Sequence, residues 1–448
     1  MVKPMRIGIV PVLSGSGGGL YQHSLNILHA LDSWKSEGCQ DEFVLLAGSP
    51  NHPLVASLKE RGWEVRPIHP PSLKQQLLDR LRRVVGEGPQ REAWRWLRRR
   101  LQRPDPERPR FNPQMSQYLR KCGIELILYT APTTMSFETG IPYVTFIMDL
   151  QHRLQPHFPE VSADGEWEQR EYLFRNTIRH ATLLFVDSEA GKEDILSFYR
   201  PYGATPDRIK ILPYLPASYL AIEDSEAEKR KVREKYRLPE HYLFYPAQFW
   251  PHKNHAVIIQ ALERLKRVHG LEIPVVFCGS HTGKVREGYF RLVMSMACHC
   301  GVVEQVHYLG YVPDEDMAGL YAGAAALVMP TFFGPANIPY LEAWALGCPV
   351  LTSDIRGIRE QVDGAGILVD PRSVEAVADG IYRLWTEENL RRTLVERGRE
   401  RVASFTFDDY RQRLIEILEE AKARLHTEKP KYTMWLKCPG EEHLDGAY

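Results

Sequence analysis

The chain has 448 residues, 44% of them hydrophobic and 25% charged, with 57 basic side chains against 57 acidic ones. These are ordinary globular values and leave material for two cores. Zero formal net charge gives no global field to attract nucleic acid, and no run of 18 apolar residues is present to span a bilayer. The seven cysteines are scattered; only Cys298-His299-Cys300 is close-spaced, and no second pair follows at zinc spacing. No metal is expected, and a reduced, cytoplasmic protein is. The opening residues turn into a strand too soon to be a signal peptide.

In chain order, residues 6–12 are near-continuously apolar and predict a buried strand. Ser14-Gly15-Ser16-Gly17-Gly18-Gly19 follows, and residues 20–31 then carry apolar side chains close to helical period. Gly17, Gly18 and Gly19 would let a ligand or a neighbouring loop approach the backbone; a plain flexible loop is the other reading. The run is not G-x-G-x-x-G, and no acidic residue ends the next strand, so a nicotinamide site is poorly supported. Strands at 43–47, 125–129, 143–148, 183–186 and 209–212 complete an alternating α/β first half. Residues 74–110 interrupt it with 12 Arg and Lys against 5 acids, and with Trp94, Trp96, Leu97 and Leu101 among the arginines. Such a segment fits peripheral contact with an anionic membrane or acceptor, at about 1 kcal/mol per basic residue near the surface. It equally fits an insertion with a solvated basic face.

Around residues 216–225 the pattern fades into polar chain, and a charged helix at 226–236 opens a second alternating half. Its strands are expected at 242–245, 274–278, 306–308, 324–329, 349–352 and 367–369. One helix is expected over 374–400 and a last one over 408–425. The tail beyond 427 holds Tyr432, Met434, Trp435 and Leu436 and should pack on the body. The expected domains are thus 1–218 and 219–405, with 406–448 returning to the first.

The stretch from Pro330 to Ser353 is the most informative. A buried strand leads into a loop rich in Gly, Pro and Asn; Glu342 then stands at the start of a short apolar helix, which stops at Gly347-Cys348-Pro349 before another strand. Polar groups at the carboxyl ends of strands in a βαβ unit mark where nucleotides bind in doubly wound sheets. A helix start favours an anion, and the Glu342 carboxylate can accept from two ribose hydroxyls. Lys253, after a strand end and before a helix, is the expected cation for a phosphate, and His252 and His255 flank it.

With two α/β halves, a glycine loop after the first strand and the Glu342 unit in the second half, the chain resembles GT-B glycosyltransferases. More closely it resembles the retaining nucleotide-sugar enzymes of glycosyltransferase family 4, over residues 5–425. The matching pieces are Pro246 to Asn254, Phe277-Cys278-Gly279-Ser280, Tyr308 to Tyr321, Pro339-Tyr340-Leu341-Glu342, Gly347-Cys348-Pro349, Ser353, Gly357, Glu360 and Gly364. The resemblance implies two Rossmann-like, doubly wound domains facing each other across a cleft, the first for the acceptor and the second for a nucleotide sugar (UDP-, GDP- or dTDP-linked). It implies transfer of a hexose or deoxyhexose to a glycan or lipid-linked acceptor with no metal cofactor. Lys253, Asn337, His152 and Asp149 are the implied catalytic groups. Gly17, Gly18, Gly19, Gln248, Lys253, Gly279, Val312, Ile338, Glu342 and Ser353 are the implied nucleotide-sugar contacts. Arg356 and Arg359 are further candidates for phosphate.

Three positions depart from the family pattern. The first of its two glutamates, spaced by seven residues, falls on Gly334; the arginine of its basic pair falls on Gln248; its histidine-aspartate pair reads Met148-Asp149. A catalytically silent module that binds nucleotide or glycan within an assembly is therefore the alternative. A sugar-nucleotide epimerase would need a pair of acid/base carboxylates in the first half, and none is evident from the sequence.

Overall fold

The computed structural model describes residues 3–13, 18–48, 52–69, 109–217 and 225–427. Gly17, nearly all of the basic stretch 74–110 and the tail 428–448 lie outside them, as do the expectations placed there.

The first sheet holds β1 (Arg6–Val10), β2 (Glu42–Ala47), β3 (Glu64–Pro67), β4 (Leu126–Tyr129), β5 (Tyr143–Phe146), β6 (Leu183–Val186) and β7 (Ile209–Ile211). They run in the order β3-β2-β1-β4-β5-β6-β7, every pair parallel. The second holds β8 (Leu243–Pro246), β9 (Val275–Cys278), β10 (Val306–Tyr308), β11 (Ala326–Met329), β12 (Val350–Ser353) and β13 (Gly366–Val369). Its order is β10-β9-β8-β11-β12-β13, again parallel throughout. Both sheets grow outward from their first strand in one direction and then in the other. Each therefore has a topological switch point, at β1/β4 and at β8/β11, where the outgoing loops part and leave a crevice. The central strands are apolar on both faces because helices cover both faces; Leu243, Phe244 and Tyr245 in β8 are each 0% exposed.

Three features depart from the sequence reading. The edge strand β3 was not expected: Glu64-Val65-Arg66-Pro67 is half-exposed, and proline, which cannot donate, is tolerated at an edge. Residues 374–400 form two helices, Val374–Thr386 and Glu388–Ala403. The break is at Glu387, whose backbone is extended, and Arg391 Nη1 turns back to donate to the carbonyls of Leu384 and Trp385. The turn lays the second helix on Ile338–Ala345 so closely that a Cβ on Gly398 would stand 2.3 Å from Trp344 Cδ1. Glu342, finally, lies in the second turn of its helix rather than at the start, since the helix begins at Ile338.

The last helix, Phe407–Thr427, leaves the second sheet and packs on the first. Tyr410, Leu414, Ile417, Leu418 and Ala421 join the core under β1, β2 and β4. Lys422, 3% exposed, donates to Asp41 Oδ2 at 2.7 Å, and Asp41 in turn accepts from Met5 N–H. No helix among the described residues is long and apolar enough to cross a membrane. Replacing Leu414, which is fully buried, by Ala should remove about 2–5 kcal/mol of stability. Urea unfolding measures this, and a loss below about 1 kcal/mol would mean that the helix contributes little to the first core.

Candidate active site

The loops that leave β8 and β11 meet at the switch point of the second sheet, and hydrogen bonds stitch them together. Phe332 N–H donates to His252 C=O at 2.7 Å, and Thr331 Oγ1 donates to the same carbonyl at 3.1 Å. Buried Asn254, in the left-handed region at φ 57°, donates its amide to Pro330 and Pro371 carbonyls. These bonds fix the backbone of Lys253, whose own carbonyl accepts from Tyr245 OH. No carboxylate among the described residues stands within salt-bridge distance of the Lys253 ammonium. Burial pushes its pKa down to about 8, while Asp149 and Glu160, both from the first domain, pull it upward. A lysine partly withdrawn from water, with no carboxylate beside it, favours an anionic ligand.

Glu342 is 5% exposed and accepts from Tyr321 OH at 2.6 Å through Oε2. Its helix follows β11, so the carboxylate stands on the same side of the sheet end as the Lys253 loop. Asn337 precedes that helix. Its N–H donates to Gln361 Oε1 and its carbonyl accepts from Gln361 Nε2, both at 2.8 Å. Its side chain does not cap the helix; the amide lies over Gly334, donating to Gly334 C=O at 3.4 Å. Gly334 has φ +142°, and a Cβ there would stand 2.6 Å from Asn337 Nδ2 and 2.8 Å from Oδ1. The Asn337 amide thus fills the space that a side chain at 334 would need, which gives the glycine at that position a physical cause.

The first domain closes over these loops. Glu160 Oε1 accepts from His252 Nδ1 at 2.6 Å and from His252 N–H at 3.2 Å. Gln155 Nε2 donates to Phe332 C=O at 2.7 Å, and Gln22 Nε2 donates to Asp314 Oδ2 at 2.9 Å. Gly18, the residue before the first helix, has φ +104°, and a Cβ on Gly19 would lie 3.5 Å from Ile338 Cδ1. The described end of the glycine loop therefore does reach the second domain. Asp149 follows β5, accepts from Gln151 N–H at 3.0 Å, and stands 3.5 Å from Arg170 Nη1.

Several expected site residues have other duties. His152 is fully buried; its Nε2 lies 2.9 Å from Glu171 Oε1 and 3.1 Å from Tyr199 OH, so it cannot meet an acceptor. Arg153 and Arg175 share that carboxylate. Burial opposes ionisation of Glu171, but the hydrogen bonds from His152, Arg153, Tyr199 and Arg175 outweigh it and hold the pKa near 2. Ser353, 0% exposed, donates its hydroxyl to Thr331 C=O at 2.6 Å and so helps to position that loop. Val312 belongs to the second core. Gly279, at φ +136°, allows the β9 turn to rest on Ala247 and Gln248, since a Cβ would fall 2.4 Å from Ala247 C=O. Arg356 bridges to Asp194 and Glu193 of the first domain, and Arg359 pairs with Asp354, so neither is a free phosphate ligand. His255 is enclosed between Phe249 and Tyr245.

Sequence reasoning missed Glu160, Gln361 and Asp187. Asp187, at the end of β6, is 4% exposed and hydrogen-bonded to Ser188 Oγ. Burial, with Asp149 nearby, pushes its carboxyl up to about 7. Its position at a strand's carboxyl end was the available signal. Among the described residues no group of three or more His, Cys, Asp or Glu is placed to hold a metal.

Two facing Rossmann-like sheets with loops meeting at their switch points are the fold of GT-B glycosyltransferases. Within it, residues 226–401 match the family described as glycosyl transferases group 1. The chain is 28% identical over 253 residues to O-antigen chain mannosyltransferase B of Escherichia coli, covering 56% of this chain and 64% of that protein. It is 27% identical over 271 residues to D-inositol 3-phosphate glycosyltransferase of Corynebacterium jeikeium (strain K411), covering 58% and 62% respectively. The matches thus span somewhat less than two thirds of these curated relatives. Among solved structures, Anabaena HepE in complex with UDP-glucose superposes with a TM-score of 0.64 at 16% identity, over 93% of this chain and 100% of that one.

The Gly334 geometry makes a specific demand. Gly334→Ala should cost about 1–3 kcal/mol through backbone strain and displacement of the Asn337 amide. Pairing it with Asn337→Gly should return the part due to the clash. Thermal unfolding of the single and double variants measures this, and a Gly334→Ala protein as stable as wild type would remove the steric account.

Proposed function

We propose that this chain is a retaining glycosyltransferase. It moves a hexose or deoxyhexose from a nucleoside diphosphate sugar to a hydroxyl of a glycan or lipid-linked acceptor. The observation that supports this most is the Lys253 ammonium, held without a carboxylate partner among the described residues at the switch point of the second sheet, facing Asp149 and Glu160 of the first domain. Breaking the anomeric C–O bond puts negative charge on the leaving diphosphate, and a fixed cation in a water-poor cleft is the strongest lever on that charge. Glu342 accepts from the ribose hydroxyls. The Asn337 amide, which has both a donor and an acceptor, and the N–H of Ile338 bind the sugar. The acceptor oxygen attacks on the face the diphosphate leaves, its proton passes to a phosphate oxygen, and the new C–O bond retains the anomeric configuration. No protein base is then required, which accords with the burial of His152 away from the cleft. Asp149 and Asp187, at the ends of β5 and β6, line the acceptor side. Lys253 takes the role of a metal ion, so chelator should leave turnover unchanged. The arginine-rich stretch 74–110 favours a lipid-linked acceptor, and anionic liposomes test that part separately.

The curated relatives are glycosyltransferases, and HepE was solved with UDP-glucose, so UDP heads a panel with GDP, dTDP, ADP and CDP. One nucleotide at 100 times its Kd should stabilise wild type by about 2.7 kcal/mol and leave Glu342→Ala unshifted in a thermal scan. No shift with any of the five would overturn the donor site; binding without transfer to any glycan acceptor would favour the silent module.

The bound diphosphate prefers the charged lysine. Affinity should therefore hold between about pH 7 and pH 8, above the second ionisation of the terminal phosphate at about pH 6, and fall as pH rises through about 8, by up to tenfold per unit. Lys253→Arg, which keeps its proton, should flatten the profile between pH 7 and 9.5 if it binds; a wild-type profile with no fall would contradict the assignment.

A further inference from the structure

Gln248 stands where a second cation would complete a diphosphate site, and a neutral amide cannot supply one. The structure brings another group to it. Arg286, from the helix Lys284–His299 that follows β9, donates from Nη1 to Gln248 Oε1 at 2.7 Å. The same oxygen accepts from Trp250 Nε1 at 3.1 Å, and the Arg286 guanidinium lies over the Trp250 ring, 4.6 Å from its centroid. Stacking on an aromatic face and donation to an amide fix a guanidinium without cancelling its charge.

The surroundings do not cancel it either. The adjacent acid, Glu287, accepts from Gly283 N–H at 3.2 Å. No carboxylate among the described residues pairs with Arg286; burial alone lowers its pKa, with no opposing charge raising it, and its Nε has no hydrogen-bond partner. Arg6, Arg153, Arg356 and Arg424, by contrast, each meet at least one carboxylate. Arg286 also belongs to the loops of the candidate site. The Gly279 turn before its helix rests on Ala247 and Gln248, and Trp250 C=O accepts from Lys253 N–H at 2.9 Å. A chain of direct contacts therefore runs from Arg286 through Gln248 and Trp250 to Lys253.

We propose that Arg286 is the second cation of the diphosphate site, held in place by Gln248 and Trp250, so that the positive charge comes from the helix after β9 rather than from the loop after β8. This rests on the donor-site reading above. Its ligand class is the diphosphate of a nucleoside diphosphate, bound through two N–H groups of a planar fork in addition to the point charge of Lys253.

The test compares wild type, Arg286→Gln and Arg286→Ala by calorimetric titration with UDP, GDP, dTDP, ADP and CDP, and with the matching nucleosides. Glutamine keeps most of the packing on Trp250 and removes only the charge, and unliganded thermal scans check that each variant is folded. The proposal expects both variants to bind the nucleoside diphosphate about tenfold or more weakly while the nucleoside changes less than twofold. Diphosphate affinity within twofold of wild type in Arg286→Gln would overturn it, as would equal losses for nucleoside and diphosphate, which would make Arg286 a packing residue. Wild type binding none of the five diphosphates would overturn the donor site itself, and this inference with it.

Discussion

The organising constraint is an ammonium group partly withdrawn from water with no ion partner beside it among the described residues. Lys253 is positioned through its backbone, by Tyr245 at its own carbonyl and by the bonds that tie the β8 and β11 loops together. The first domain then covers it, through Glu160 on His252 and Gln155 on Phe332. Asp149 and Glu160 moderate the charge without binding it. A site of this kind favours an anion, as the proposed donor diphosphate requires.

The departures from the family pattern become related once the geometry is known. Gly334 and Asn337 are two parts of one arrangement: the amide occupies the volume above a glycine that has no side chain and a backbone conformation few other residues adopt. Gln361 pins the Asn337 backbone from both sides. Gln248 is likewise half of a pair, its carbonyl oxygen holding Arg286.

Most of the fold was legible in the sequence because buried parallel strands are short apolar runs between glycine-rich or polar loops. The runs at 6–10, 243–245 and 326–329 have that form. The edge strand β3 was not legible, since a half-exposed Glu-Val-Arg-Pro carries no periodic signal. Neither was the break at Glu387, which depends on Gly398 meeting Trp344 in three dimensions. Of the candidate site residues, Lys253 and Glu342 were legible as polar groups placed after strand ends. His152 and Ser353 could not be separated from ligand-binding residues by sequence, because burial against Glu171 and Thr331 is a tertiary fact. Glu160 and Arg286 act through contacts with residues 92 and 38 positions away and leave no local trace.

The central claim is that the Lys253 charge is partly desolvated and binds a diphosphate, and it can be measured at the atom concerned. Lysine side chains labelled with carbon-13, with Lys253→Arg used to assign the signal, report the titration of that ammonium by NMR. The account predicts a pKa near 8 in the free protein, rising when the bound nucleoside diphosphate is added. A value near the ordinary lysine pKa of about 10.4, unmoved by nucleotide, would contradict it.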